Sequence, residues 1–170
     1  MYRRFWLVGT AAVFGCGFVL YLAYLTSGAA AWSLLVSSVN RSPWELVKPF
    51  ALVYLLWSFV ELSVLRPSLL HYVCSRILSL QLFVWVTSVL LCVIPSSIQQ
   101  EWLQLSVIGS MLLLSQAACA GMYRSSRRWE LLALPIFISF FLLFGCLLFC
   151  TVYPPHFPLF CDHVRSSYGI

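Results

Sequence analysis

Glu61 is the residue whose type and place most need a chemical explanation. It is the only acidic residue well inside an apolar run; Glu45, Glu101, Glu130 and Asp162 lie in connectors, at segment ends or in the tail. An ionised carboxylate in hydrocarbon needs a partner, a route to water or a proton. On a helix, Tyr54, Ser58 and Glu61 share one face, because residues four and seven apart lie above one another. On the next apolar run Gln81, Trp85, Ser88 and Cys92 repeat that spacing. Polar atoms in a bilayer turn toward protein or a cavity, so these two stripes are expected to meet.

Depth adds to the argument. Glu61 lies five residues before Arg66, and Gln81 five residues after Arg76. In an antiparallel hairpin both sit roughly 7–8 Å inside the same membrane boundary. Gln116, eight residues before Arg124, lies slightly deeper. Glu61, Gln81, Gln116, Tyr54 and Ser58 are therefore the candidate polar intramembrane layer, with Arg66 or Arg76 able to reach toward it. Two chemistries fit such a layer. Glu61 is either the hydrogen-bonded clasp of a helix bundle or a proton, ion or substrate group. A carboxylate near an interface, with no basic partner inside the membrane, favours the clasp.

The remaining candidates carry less. Cys74, beside His71 in the connector over residues 66–76, is a candidate for palmitoylation. Asn40-Arg41-Ser42 has the form of a glycosylation sequon, with Pro43 immediately after it. Asp162-His163, with His156 nearby, could do acid–base work, but no GxSxG, HExxH or phosphate-loop pattern accompanies them. Cys161 is a candidate for an intermolecular disulfide or a free thiol. Cys146 and Cys150 share a helix face, yet two thiols without a CxxC or Cys/His pattern are weak metal evidence. No catalytic residue, metal site or cofactor is expected.

The elements that must position these residues follow from composition. The chain has 170 residues, 62% hydrophobic and 9% charged, where a soluble domain is about 25% charged. Too little polar surface exists to cover a soluble globule, so lipid is the solvent. The net charge of +5 is spread through short connectors, with no basic stripe to suit nucleic acid. Apolar runs over residues 5–25, 47–65, 77–94, 102–123 and 131–153 are each close to the length that crosses a bilayer core of roughly 30 Å. The first is read as a retained span; a cleaved signal peptide is the rival, with Ala29-Ala30-Ala31 as the cutting site. Lys48 snorkels at the start of the second span and Pro49 sits in its first turn. Residues 31–39 place Trp32, Leu35, Val36 and Val39 on one face, which suits an interfacial helix or an extension of the first span. Small residues four apart, Ala117 with Gly121, Ala11 with Gly15 and Ala12 with Cys16, suit close helix packing. Trp32, Trp44, Trp102 and Trp129 sit near span ends, as an aromatic belt does.

Five spans put the termini on opposite sides. With the N-terminus cytoplasmic, Arg3, Arg4, Arg66, Arg76, Arg124, Arg127 and Arg128 face the cytoplasm, against Arg41, Lys48 and Arg165 outside. The positive-inside rule favours that orientation and makes residues 154–170 an extracytoplasmic tail. The expectation is an all-α, multi-pass membrane protein, a single domain over residues 1–170 folded as a compact five-helix bundle. Its expected role is a non-enzymatic assembly, trafficking or accessory subunit, in the endomembrane system or plasma membrane, with a membrane-protein partner or a second copy. The alternative is a small transporter, channel subunit or lipid-handling protein using the layer around Glu61.

Overall fold

The computed structural model describes residues 2–27, 35–65, 67–94, 100–125, 129–162 and 167–168. Residues 31–34 of the expected interfacial helix, Arg66 and His163 lie outside them. The elements are α1 (Tyr2–Thr26), α2 (Pro43–Leu65), α3 (Leu69–Val93), α4 (Glu101–Arg124) and α5 (Ala133–Val152). A 3-10 turn, Trp129–Leu132, leads into α5. After a second turn at Pro158–Phe160, the two-residue strands β1 (Cys161–Asp162) and β2 (Ser167–Tyr168) pair antiparallel. All five α-helices are long and apolar enough to cross a membrane.

Two helices begin earlier than hydropathy suggests, and both differences matter. α2 starts at Pro43, where a missing N–H costs little. Pro49 consequently falls inside the helix rather than in its first turn, and it withholds an N–H from the Glu45 carbonyl. α3 starts at Leu69 behind Ser68, with the Tyr72 N–H bonded to the Ser68 carbonyl at 3.0 Å. The polar residues Ser75 and Arg76 lower the hydropathy of this turn without interrupting its backbone hydrogen bonds. Arg76 therefore lies within a helix and not in a connector. Only Leu35 and Val36 of the expected interfacial segment are helical among its described residues; the chain bends from Ser37.

The helices α1, α2, α3 and α4 form a ring of neighbours, and α5 packs outside it against α3. Val13, Phe50, Tyr54, Phe83, Ile108 and Leu112 fill the middle, and α5 adds Leu143 and Leu147. The outward faces remain apolar, as with Leu134, Phe141 and Leu142 on α5. Hydroxyls along the helices bond back to carbonyls one turn earlier, such as Ser63 to Phe59 and Ser106 to Trp102. This satisfies those hydroxyls without water, whereas Thr87 Oγ1 and Ser88 Oγ on α3 are buried without a hydrogen-bond partner.

The face that joins α1 to α2 is not the one that small-residue spacing suggests. Ala11 and Cys16 are exposed, and a Cβ on Gly15 would meet nothing within 4 Å. The contact runs through Gly9, Val13 and Gly17. A Cβ on Gly9 would fall onto the Trp57 indole, and one on Gly17 onto the Phe50 ring. Gly9→Leu is therefore expected to lower stability by about 1–3 kcal/mol through overpacking, whereas Gly15→Leu should leave it unchanged. Thermal unfolding in detergent compares the two, and equal effects would refute this assignment of the interface. Trp44 likewise differs from a belt residue. It is buried, with its ring centroid 5.6 Å from that of Trp85 and 5.4 Å from that of Phe160. Trp102 is exposed, and Trp129 donates to the Met122 carbonyl at 3.2 Å.

Candidate functional site

Three helices converge on Arg76. α2 presents Tyr54, Trp57, Ser58 and Glu61 on one face, α3 presents Tyr72, Arg76 and Ser79, and α4 presents Gln116. Glu61 and Arg76 are 1% and 3% exposed. Arg76 Nη1 lies 3.3 Å from Glu61 Oε2, forming an ion pair in the interior. The rest of each charge is spread over polar neighbours. Arg76 Nε donates to Ser58 Oγ at 2.8 Å, and Nη1 donates to Gln116 Oε1 at 2.6 Å. The guanidinium carbon stands 4.2 Å from the centre of the Tyr54 ring, a cation–π distance. Glu61 Oε1 accepts from Trp57 Nε1 at 2.7 Å, and Oε2 accepts from the Tyr72 hydroxyl at 2.8 Å. Tyr54 and Ser79 share a hydrogen bond of 2.8 Å beneath the pair. Arg76 Nη2 and Gln116 Nε2 are buried without hydrogen-bond partners.

The structure thus brings Glu61, Ser58, Tyr54 and Gln116 around one cation. Gln81 goes elsewhere: its Nε2 donates to Ser139 Oγ on α5 at 2.7 Å. Arg76 and Gln81 are five residues apart on one helix and so point about 140° apart: the face of Tyr72 and Arg76 meets Glu61, and Gln81 holds α5 to α3.

A second charged cluster lies toward the other end of α2. Lys48 is fully buried and does not snorkel. Its Nζ donates to Glu45 Oε2 at 2.7 Å and to Thr151 Oγ1 at 3.0 Å, while the Thr151 hydroxyl donates to Glu45 Oε1 at 2.7 Å. The Val39 N–H also donates to Glu45 Oε2, at 3.2 Å. The loop before α2 is fixed to the C-terminal region by the Arg41 N–H, which donates to Asp162 Oδ2 at 3.2 Å. Arg41 also pairs with Glu101 at the start of α4. Asp162 is therefore buried and engaged as an anchor. Asn40 Oδ1 accepts from the Ser42 N–H at 3.0 Å.

Cys74, expected in an accessible connector, is buried on α3 with Ile77 and Ile136. Cys146 is exposed on α5, and Cys150 is half-buried there. Among the described residues, no group of three His, Cys, Asp or Glu side chains is arranged to hold a metal ion.

Sequence reasoning missed Trp57, Tyr72 and Thr151 and misplaced Lys48. Two signals were available. Glu45 and Lys48 stand three apart, a helical pairing distance. Tyr72, Arg76 and Ser79 form a four-then-three stripe, visible once the helix is extended back past Ile77.

Chemically, Glu61 is a carboxylate held by two neutral donors and one cation. That arrangement fixes side chains, and the space that touches Glu61 itself is small. An opening of about 10 Å³ touches Glu61, Tyr72 and Cys119, roughly one water's worth. A cavity of about 180 Å³ between α2, α3 and α5 touches Ser58, Tyr72 and Arg76. No curated protein and no solved structure matches the chain. A family model does match, over residues 1–170, and the chain belongs to that family, described as Family of unknown function (DUF6512).

Proposed function

We propose that this protein is a non-enzymatic integral membrane subunit that assists the assembly or trafficking of a membrane complex. The observation that carries the proposal is the engagement of Glu61 by Arg76, Tyr72 and Trp57, which ties α2 to α3, with Gln116 of α4 bound to the same cation. A carboxylate whose oxygens are already occupied suits a clasp better than a relay that must take up and release protons. The cluster of Glu45, Lys48 and Thr151 serves α2 and α5 in the same way. With Glu45 paired to Lys48 and Glu61 to Arg76 in the interior, the bundle offers its apolar outer faces to lipid or to other helices. The arginine distribution supports a cytoplasmic N-terminus and an extracytoplasmic C-terminus, in the endomembrane system or plasma membrane.

Crosslinking and mass spectrometry from native membranes test the proposal. A reproducible membrane-protein partner or a second copy is the expected recovery, and monomer alone would count against it. Glu61→Gln separates the clasp from a transport role. The clasp reading expects altered assembly or yield. A variant that is made normally but loses a pH-dependent flux in proteoliposomes would overturn it. The lipid-handling alternative has one specific observation in its favour: an apolar groove between α1 and α4 that reaches Gln116.

A further inference from the structure

Two adjoining openings between α1 and α4, of about 710 and 570 Å³, share Leu7, Thr10 and Leu113 and make one groove along the helix pair. Phe14, Phe18 and Leu105 line one half. Trp6, Ala117 and Gly121 line the other, which reaches Arg124. The hydroxyls along the walls are already spent. Thr10 bonds to the Trp6 carbonyl at 3.0 Å, Ser106 to that of Trp102 at 2.6 Å, and Ser110 to that of Ser106 at 2.8 Å. The groove is therefore apolar along most of its length and polar at one end.

That end carries two independent marks of a ligand. Gln116, 2% exposed, lines the groove, and its Nε2 has no partner. The amide cannot turn to relieve this, because Arg76 only donates and holds Oε1. Arg124 is exposed at the mouth, its guanidinium carbon 5.0 Å from the centre of the Trp6 ring. Stacking on the indole leaves the N–H edge of the guanidinium for an anion. Trp6, on which Arg124 stacks, lines the same half of the groove as Gln116.

We propose that this groove is a binding site for an anionic membrane glycerophospholipid. An acyl chain lies between α1 and α4, the phosphate pairs with Arg124, and an ester carbonyl supplies the acceptor that Gln116 Nε2 lacks. The charge of the mouth selects an anionic headgroup over a zwitterionic one. This inference is independent of the accessory-subunit reading, since a subunit can hold the lipid with or without a partner.

Native mass spectrometry of the full chain, released from micelles doped with equal amounts of phosphatidylglycerol and phosphatidylcholine of the same acyl chains, is the test. Phosphatidylglycerol is expected to be retained in preference. Arg124→Ala should lower that preference roughly five-fold, the worth of about 1 kcal/mol per surface cation. Gly121→Leu fills the groove where a Cβ meets nothing within 4 Å. It should reduce retention of both lipids with the unfolding temperature unchanged. Equal retention of the two lipids by the wild type would overturn the proposal. So would retention indifferent to both variants, or a lipid-free dimer that Gly121→Leu dissociates.

Discussion

Arg76→Met is expected to destabilise the bundle by about 3–5 kcal/mol, the usual effect of removing one partner of a buried ion pair. Met keeps an unbranched apolar stem like that of arginine, so part of the packing around it is retained. What it leaves behind is Glu61, 1% exposed, with only the Trp57 and Tyr72 donors. It also frees Ser58 Oγ and Gln116 Oε1 from their shared donor. A double-mutant cycle makes the claim specific. Glu61→Gln combined with Arg76→Met removes both charges, and replacing a whole buried pair is often close to neutral. The double variant is therefore expected to be more stable than Arg76→Met alone. Reversible unfolding in mixed micelles, followed by the fluorescence of the seven tryptophans, reads the result. Additive losses in the two single variants would show that the charges are not coupled.

Lys48→Met is the second large effect, about 3 kcal/mol by the same reasoning. It is expected at the lower end because Glu45 keeps hydrogen bonds from Thr151 and from the Val39 N–H. Thr151→Val, which removes a hydrogen bond to a charged group, should cost about 1.5–3 kcal/mol. Because Thr151 bridges both ions, the two substitutions should be strongly non-additive. Unfolding of the singles and the double in the same micelles checks this. A Lys48→Met variant as stable as the wild type would mean that Lys48 reaches water after all.

The structure also separates small residues with a packing role from those without one. Gly9 and Gly17 admit Trp57 and Phe50, and Trp57 in turn bonds to Glu61. The contact between α1 and α2 is therefore mechanically linked to the buried ion pair. Ala117 and Gly121, which share the same sequence spacing as a packing motif, line an open groove instead. Spacing alone states that a close approach is permitted. Which face is approached depends on the rotation of each helix about its axis, and that is decided by every other residue on it.

What the sequence determined by itself was the existence and number of the apolar helices, and the exceptional standing of Glu61. Both follow from the cost of exposing apolar surface to water or charge to lipid, a property each segment carries with it. It also placed Gln81 and Gln116 near the depth of Glu61, because helical rise is constant, and Tyr54 and Ser58 on its face. Only the tertiary structure decided the partners. Arg76 meets Glu61 because α3 begins at Leu69 and so carries the guanidinium inside the bundle; hydropathy averages that polar turn into a connector. Lys48 is buried because Thr151, more than a hundred residues later, arrives beside it on α5. Gln81 turns from Glu61 to Ser139 for the same reason: a carboxylate and an amide show their type in sequence, but their neighbours are fixed by helix rotation and packing.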